Sequence, residues 1–222
     1  MELAALVTGG KDSALALYKA MRKHSIKYLV AMVPQREDSW MFHYPNIHMV
    51  DFFAEAAEIP LVKAETAGVK EAEVEDLKNL LAKLDVEGVV SGAVASTYQK
   101  TRIDKICQEL NLRHIAPLWH EKPEKILNEI IENEFEVIIV GVYALGLDEN
   151  WLGRKIDTET VEELIKLKEK FGISPVGEGG EYESLVLDAP YFKKKIQILE
   201  TEKVWKENQG YLMVKKAELI PK

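Results

Sequence analysis

The chain has one cysteine, five arginines and no hydrophobic run long enough to cross a membrane in its 222 residues. A lone cysteine excludes an internal disulfide, a cysteine-rich zinc site and a two-cysteine sulfur relay. The N-terminal apolar run, Leu3 to Val7, has no basic flank and ends at Thr8-Gly9-Gly10, too soon for a secretion signal. These absences predict a soluble, cytoplasmic protein with no membrane contact. Positive charge is scarce too. With 29 Lys and Arg against 37 Asp and Glu the net charge is −8, which argues against nucleic acid held by bulk charge. Core material is not lacking: 47% of residues are hydrophobic and 30% charged, a balance that excludes disordered and low-complexity classes. A homo-oligomer is compatible with all of this.

Short apolar runs alternate with amphipathic stretches through the first half. Strands are predicted at 3–8, 28–33, 61–63 and 88–91, and helices at 13–23, 47–57, 69–84 and 97–110. Such alternation implies right-handed crossovers and a parallel sheet with helices on both faces. The second half reads differently, with helices at 124–133 and 158–171, a strand at 137–142 and a Gly-rich segment from Gly177 to Glu183. Its tail alternates apolar and polar residues around Asn208-Gln209-Gly210, an antiparallel hairpin signal. The expected organisation is an α/β domain over 1–116 and a smaller α+β part over 117–222.

Val7-Thr8-Gly9-Gly10-Lys11-Asp12-Ser13 joins the first strand to the first helix. Two glycines let backbone approach a ligand, free N–H groups at the helix start favour an anion, and Lys11 adds positive charge. The segment matches neither the Walker A pattern, since the upstream glycine is missing, nor the dinucleotide fingerprint, which needs a third glycine. It resembles the PP-loop of the N-type ATP pyrophosphatase superfamily, whose pattern is Ser-Gly-Gly-x-Asp-Ser, with Thr8 keeping the hydroxyl of the usual serine.

Three further segments narrow the resemblance: Ser39 to Asn46 with its aromatic cluster, Ser91-Gly92-Ala93 through Arg102, and Gly177-Glu178-Gly179-Gly180-Glu181-Tyr182-Glu183 continuing to Pro190. Together with the loop they look like the diphthine–ammonia ligase family, over nearly the whole chain. The resemblance implies a Rossmann-like, HUP-type sheet. It also implies ATP and Mg²⁺ as requirements, ammonium as nitrogen donor and diphthine-bearing translation elongation factor 2 as protein substrate. By the same resemblance Thr8, Gly9, Gly10, Lys11, Asp12 and Ser13 hold the β and γ phosphates, with Asp12 as the Mg²⁺ ligand. Met32, Gly92 and Ala93 lie against the nucleotide.

The remaining candidates follow from chemistry as well as family. Gln99 and Arg102 lie about one turn apart on one helix, and Arg102 suits a phosphate or carboxylate as a bidentate donor. Glu178, Glu181 and Glu183 crowd one Gly-rich loop, where like charges raise one another's pKa unless a cation sits among them. That cation is Mg²⁺ or ammonium, or one Glu takes the proton as ammonia attacks; on this reading Lys11 and the three acids are catalytic. His43 and Tyr44 are expected to meet the protein substrate. Cys107 lies on an apolar stripe with Ile103, Ile106 and Leu110 and reads as core. Two rivals stand beside the ligase: an RNA-modifying PP-loop enzyme, which the acidic surface and lone cysteine disfavour, and a nucleotide sensor without turnover.

Overall fold

The computed structural model describes residues 1–34, 46–66 and 70–222, with 70–72 described by their backbone alone. The first sheet holds β1 (Glu2–Leu6), β2 (Ser25–Pro34), β3 (Leu61–Thr66), β4 (Gly88–Val90) and β5 (Arg113–Ile115), all parallel, in the order β3-β2-β1-β4-β5. Helices α1 (Lys11–Met21), α2 (Met49–Ala57), α3 (Lys70–Leu81) and α4 (Thr97–Glu109) make the crossovers. Leu3, Ala4 and Ala5 of β1 are all buried, as a central strand covered on both faces requires. On one face Leu3 and Ala5 share a core with α1 and α2; on the other Ala4 packs with Leu77, Leu81, Ile106 and Cys107 of α3 and α4. Burial pushes the Cys107 thiol up to about 11, so it is an inert core residue.

Strand order reverses at β1. The chain leaves it toward β2 on one side and returns to β4 on the other, so the carboxyl ends of β1 and β4 flank the crevice where open α/β sheets bind ligands. Loops from Gly9 and Gly92 therefore meet at that crevice.

The second sheet is antiparallel: β6 (Glu136–Val142), β7 (Tyr182–Asp188), β8 (Lys194–Lys206) and β9 (Gln209–Pro221), ordered β7-β6-β9-β8. It packs with α5 (Pro123–Glu132) and α6 (Thr158–Phe171). Asp157 caps α6 by accepting from the Thr160 N–H at 2.9 Å, and Gly172 ends it in the left-handed region at φ 72°. Parallel α/β and antiparallel α+β parts are both present, as the patterning implied.

Three details depart from the sequence reading. The hairpin turns at Glu207-Asn208, because Lys206 pairs with Gln209; Glu207 takes the positive φ and Gly210 lies inside the strand, against Val204 and Trp205. Only three residues form β5, too few to carry a periodic signal. The Gly-rich segment becomes strand from Tyr182 onward, which matters below.

The two sheets share one hydrophobic core. Tyr191 donates its hydroxyl to the Ala14 carbonyl at 3.2 Å, with its ring among Tyr18, Phe53 and Phe135. Asn46 clamps β9, donating to Leu212 O and accepting from Val214 N, each at 2.8 Å. Among the described residues no helix is long and apolar enough to cross a membrane.

Candidate active site

Val7 to Gly10 turns β1 into α1, and Gly9 takes φ 84°, open mainly to glycine. Hydroxyls hold the turn together. Thr8 Oγ1 accepts from the Gly10 N–H at 3.3 Å, and Ser13 Oγ accepts from the Thr8 N–H at 3.4 Å while donating to the Gly10 carbonyl at 3.0 Å. Gly10 has no side chain with which to cap α1. The cap comes from the second sheet instead: Ser184 Oγ on β7 accepts from the Lys11 N–H at 3.2 Å, and the Val186 N–H donates to the Gly9 carbonyl at 2.9 Å. Sequence reasoning missed Ser184 as a partner of the loop. No local spacing connects residues 173 apart in the chain.

Lys11 departs from its expected pose. Its side chain is turned inward, with 2% of the residue exposed; Nζ donates to the Val176 carbonyl at 2.5 Å, pairs with Asp12 at 3.0 Å and lies 4.9 Å from the Tyr182 ring centre. The segment from Val176 to Tyr182 covers the lysine, so its charge fastens the acidic loop to the phosphate loop. Gly92 also has a packing reason. A Cβ there would meet Ser13 N at 2.7 Å and Asp12 C at 2.8 Å, so glycine lets the β4–α4 loop rest on the backbone of α1.

Two of the three acids face this region. Glu181 Oε1 accepts from the Ser174 N–H at 2.8 Å, while Glu181 Oε2 and Asp12 Oδ1 are buried with no hydrogen-bond partner among the described residues. Burial raises the pKa of Glu178, and the carboxylates of Glu181 and Asp12 raise it further against the opposing Lys11 and His120 charges. An open cleft of about 510 Å³ adjoins the acids, lined also by Lys168, Ile173, Ser174 and Pro175.

Glu183 is not brought to the other two. Side chains alternate along β7, so Tyr182 and Ser184 face the loop and Glu183 points to the opposite face. There it pairs across from Gly141 of β6 and hydrogen-bonds Tyr143, whose hydroxyl would meet a Cβ at Gly141 at 2.6 Å. Burial pushes the Glu183 carboxyl up to about 7, and the Tyr143 bond opposes that rise. Crowding by the other acids plays no part.

The other candidates are placed as follows. Met32 is half-buried on β2 opposite Ala64, and Ala93 is buried next to Gly92. Gln99 is exposed in the first turn of α4, its N–H capped by Ser96 Oγ at 3.3 Å, and Arg102 stacks 3.7 Å from the Tyr98 ring centre. His43 and Tyr44 lie outside the described residues. Among the described residues no three His, Cys, Asp or Glu side chains converge as a metal cluster. The two orphaned carboxylate oxygens of Asp12 and Glu181 suit a hard cation that takes its remaining ligands from phosphate and water.

Two family models match the chain: the diphthamide synthase N-terminal domain over residues 1–114 and the diphthamide synthase C-terminal domain over 122–220. A diphthine–ammonia ligase of Homo sapiens is 37% identical, the match covering 92% of this chain and 85% of that protein. One from Danio rerio is 34% identical, covering 96% and 92%. Another, from Schizosaccharomyces pombe, is 34% identical over 97% of this chain but only 39% of its own length. With both models matched in order and relatives this similar along nearly the whole length, the chain belongs to the diphthamide synthase family.

Proposed function

We propose that this chain is an ATP-dependent ligase that converts the diphthine carboxylate of translation elongation factor 2 to an amide with free ammonium. A carboxylate resists attack by ammonia because an oxide would have to leave. Its oxygen therefore attacks the α phosphorus of ATP, giving an acyl-adenylate and pyrophosphate; ammonia then attacks the acyl carbon and AMP departs. The observation that carries this reading is the docking of the acidic loop onto the phosphate loop, in a chain of this family.

Each residue then has a task. Thr8, Gly9, Gly10 and Ser13 cradle the β and γ phosphates, and Lys11 holds the acidic loop over them. Asp12 and Glu181 would hold Mg²⁺, which would supply positive charge against the pyrophosphate. Glu178, whose raised pKa makes it the more willing proton acceptor, takes a proton from ammonium. Gly92, Ala93 and Met32 line the nucleotide side, Gln99 and Arg102 steady the substrate carboxylate, and His43 and Tyr44 meet the protein substrate. Glu183 acts through the strand that carries Ser184. Residues 1–116 form the nucleotide half and 117–222 the substrate half.

The test is incubation with ATP, Mg²⁺, ammonium and diphthine-bearing elongation factor 2, following nucleotide products and the substrate mass. AMP and pyrophosphate, formed together with the mass change from acid to amide, are expected. ADP would overturn α–β cleavage, and ATP binding without product would favour the sensor.

A further inference from the structure

Outside the loops just described, a hydrogen-bonded chain of side chains crosses the first sheet. Lys100 Nζ on α4 meets Asp104 Oδ2 at 2.6 Å; Asp104 Oδ1 meets His114 Nδ1 on β5 at 2.6 Å; and His114 Nε2 meets Ser91 Oγ, at the end of β4, at 2.7 Å. Burial alone would raise the Asp104 pKa, but the bonds from Lys100 and His114 outweigh it and hold the carboxyl ionised. An ionised carboxylate has no proton to give, so His114 Nδ1 carries the hydrogen and donates it to Asp104, which fixes the plane of the ring. His114 Nε2 and the Ser91 hydroxyl share the other hydrogen bond, which fixes the serine torsion.

The order of groups is that of a hydrolase triad, but burial decides against nucleophilic use. Ser91 is only 3% exposed, and a hydroxyl so enclosed cannot reach an acyl group. What it can do is hold the chain. The Ser91 backbone N–H donates to the Ile115 carbonyl at 3.0 Å, so both its main chain and its side chain are tied to β5. The next residue is Gly92, which rests on the backbone of Asp12 and Ser13. Two residues further, the Val94 carbonyl accepts from the His120 N–H at 2.8 Å.

We propose that Lys100, Asp104, His114 and Ser91 form a positioning relay. It sets the distance between the Gly92–Ala93 loop and the N-terminus of α1, and so tunes nucleotide affinity rather than the chemical step. The proposal rests on the functional reading above for the identity of the ligand, ATP. Ser91 and His114 are positioning residues, acting through Gly92. Lys100 holds Asp104 in line and also lies 5.4 Å from the Trp119 ring centre, joining the relay to the segment between the two halves.

The experiment uses the full chain with Mg²⁺ and ATP, adding ammonium and diphthine-bearing elongation factor 2 where turnover is measured. Calorimetry gives Kd, steady-state AMP formation gives KM and kcat, and ¹⁵N spectra of histidine give the His114 tautomer. Ser91→Ala and Asp104→Ala are expected to weaken ATP binding by roughly fivefold to tenfold, the scale of one lost buried hydrogen bond. KM should rise far more than kcat falls. Asp104→Asn keeps an acceptor for Nδ1–H and should restore most of the affinity. The wild-type spectrum should show Nδ1 protonated and hydrogen-bonded, a signature lost in Asp104→Ala. Folded Ser91→Ala and Asp104→Ala proteins that bind ATP within twofold of wild type would overturn the relay. So would a loss in kcat with unchanged Kd, or a His114 bare at Nδ1. A wild-type protein that binds no ATP would instead overturn the functional reading, and the imidazole spectrum would still test the relay's hydrogen bonding on its own.

Discussion

Gly92→Ala is the sharpest perturbation the structure offers. The new Cβ would stand 2.7 Å from Ser13 N, about 0.7 Å inside ordinary contact, and its three nearest atoms are all backbone. No side-chain rotation relieves a clash with main chain. Either α1 shifts by on the order of 0.7 Å at its N-terminus or β4 gives way, and overpacking of this kind costs about 1–3 kcal/mol. For a chain of 222 residues that is a fall of roughly 2–12 °C in Tm. The displaced element carries the phosphate loop, and misplacement approaching 1 Å can cost about 100-fold in rate. Thermal unfolding and AMP release from the same preparation measure both effects. A variant with wild-type Tm and wild-type turnover would refute the packing reason given for this glycine. A loss of turnover at unchanged Tm would mean that Gly92 is needed for ligand contact alone.

Three other outcomes follow from the geometry. Lys11→Met should lower stability by about 3 kcal/mol, because the Val176 carbonyl and the Asp12 carboxylate both lose a buried partner; an unchanged urea midpoint with weakened ATP binding would place the ammonium on the phosphates instead. Glu183→Gln should stabilise the fold at pH 8 and leave it nearly unchanged at pH 4. The folded protein holds that proton up to about pH 7 while the unfolded chain releases it near 4.5, so stability falls as pH rises through that window, by about 3 kcal/mol in all. Urea titrations across the window check the slope, and an equal slope in the variant would refute the burial argument. Asp12→Asn should raise the Mg²⁺ concentration needed for half-maximal AMP formation by about tenfold or more; an unaltered Mg²⁺ dependence would remove Asp12 as a ligand.

Much of the fold was legible because its signals are local. β1 is a short apolar run followed closely by two glycines, and α1, α4 and α6 show helical periodicity. The phosphate loop was equally plain as a string of residues. What it touches was not. Lys11 beside Gly-Gly reads as a free cation, and only the fold shows Val176 and Tyr182 closing over it. The three glutamates illustrate the same limit. Their spacing puts them in one loop, but where the loop becomes strand at Tyr182 the period changes to two, and that single change sends Glu183 to the far face. His114 carries no local signal of its own, because Asp104 and Ser91 reach it from different elements.

The bonds around the phosphate loop also say how it would receive an anion. Its N–H groups at Thr8, Gly10 and Lys11 are met by hydroxyl oxygens at 3.2–3.4 Å, longer than the usual 2.9–3.0 Å for such bonds. Long bonds to neutral hydroxyls are weak, and phosphate oxygens would replace them with charge-assisted ones. The Thr8 and Ser184 hydroxyls so released can then donate to the same phosphate, while Ser13 still donates to the Gly10 carbonyl. One of the three, Ser184, comes from the opposite half of the molecule. An anion that enters therefore loosens a contact between β7 and α1 while gaining Ser184 as a donor. On the proposed reading, nucleotide binding would exchange these hydroxyl partners while the Lys11 and Val186 bonds keep the two halves in register.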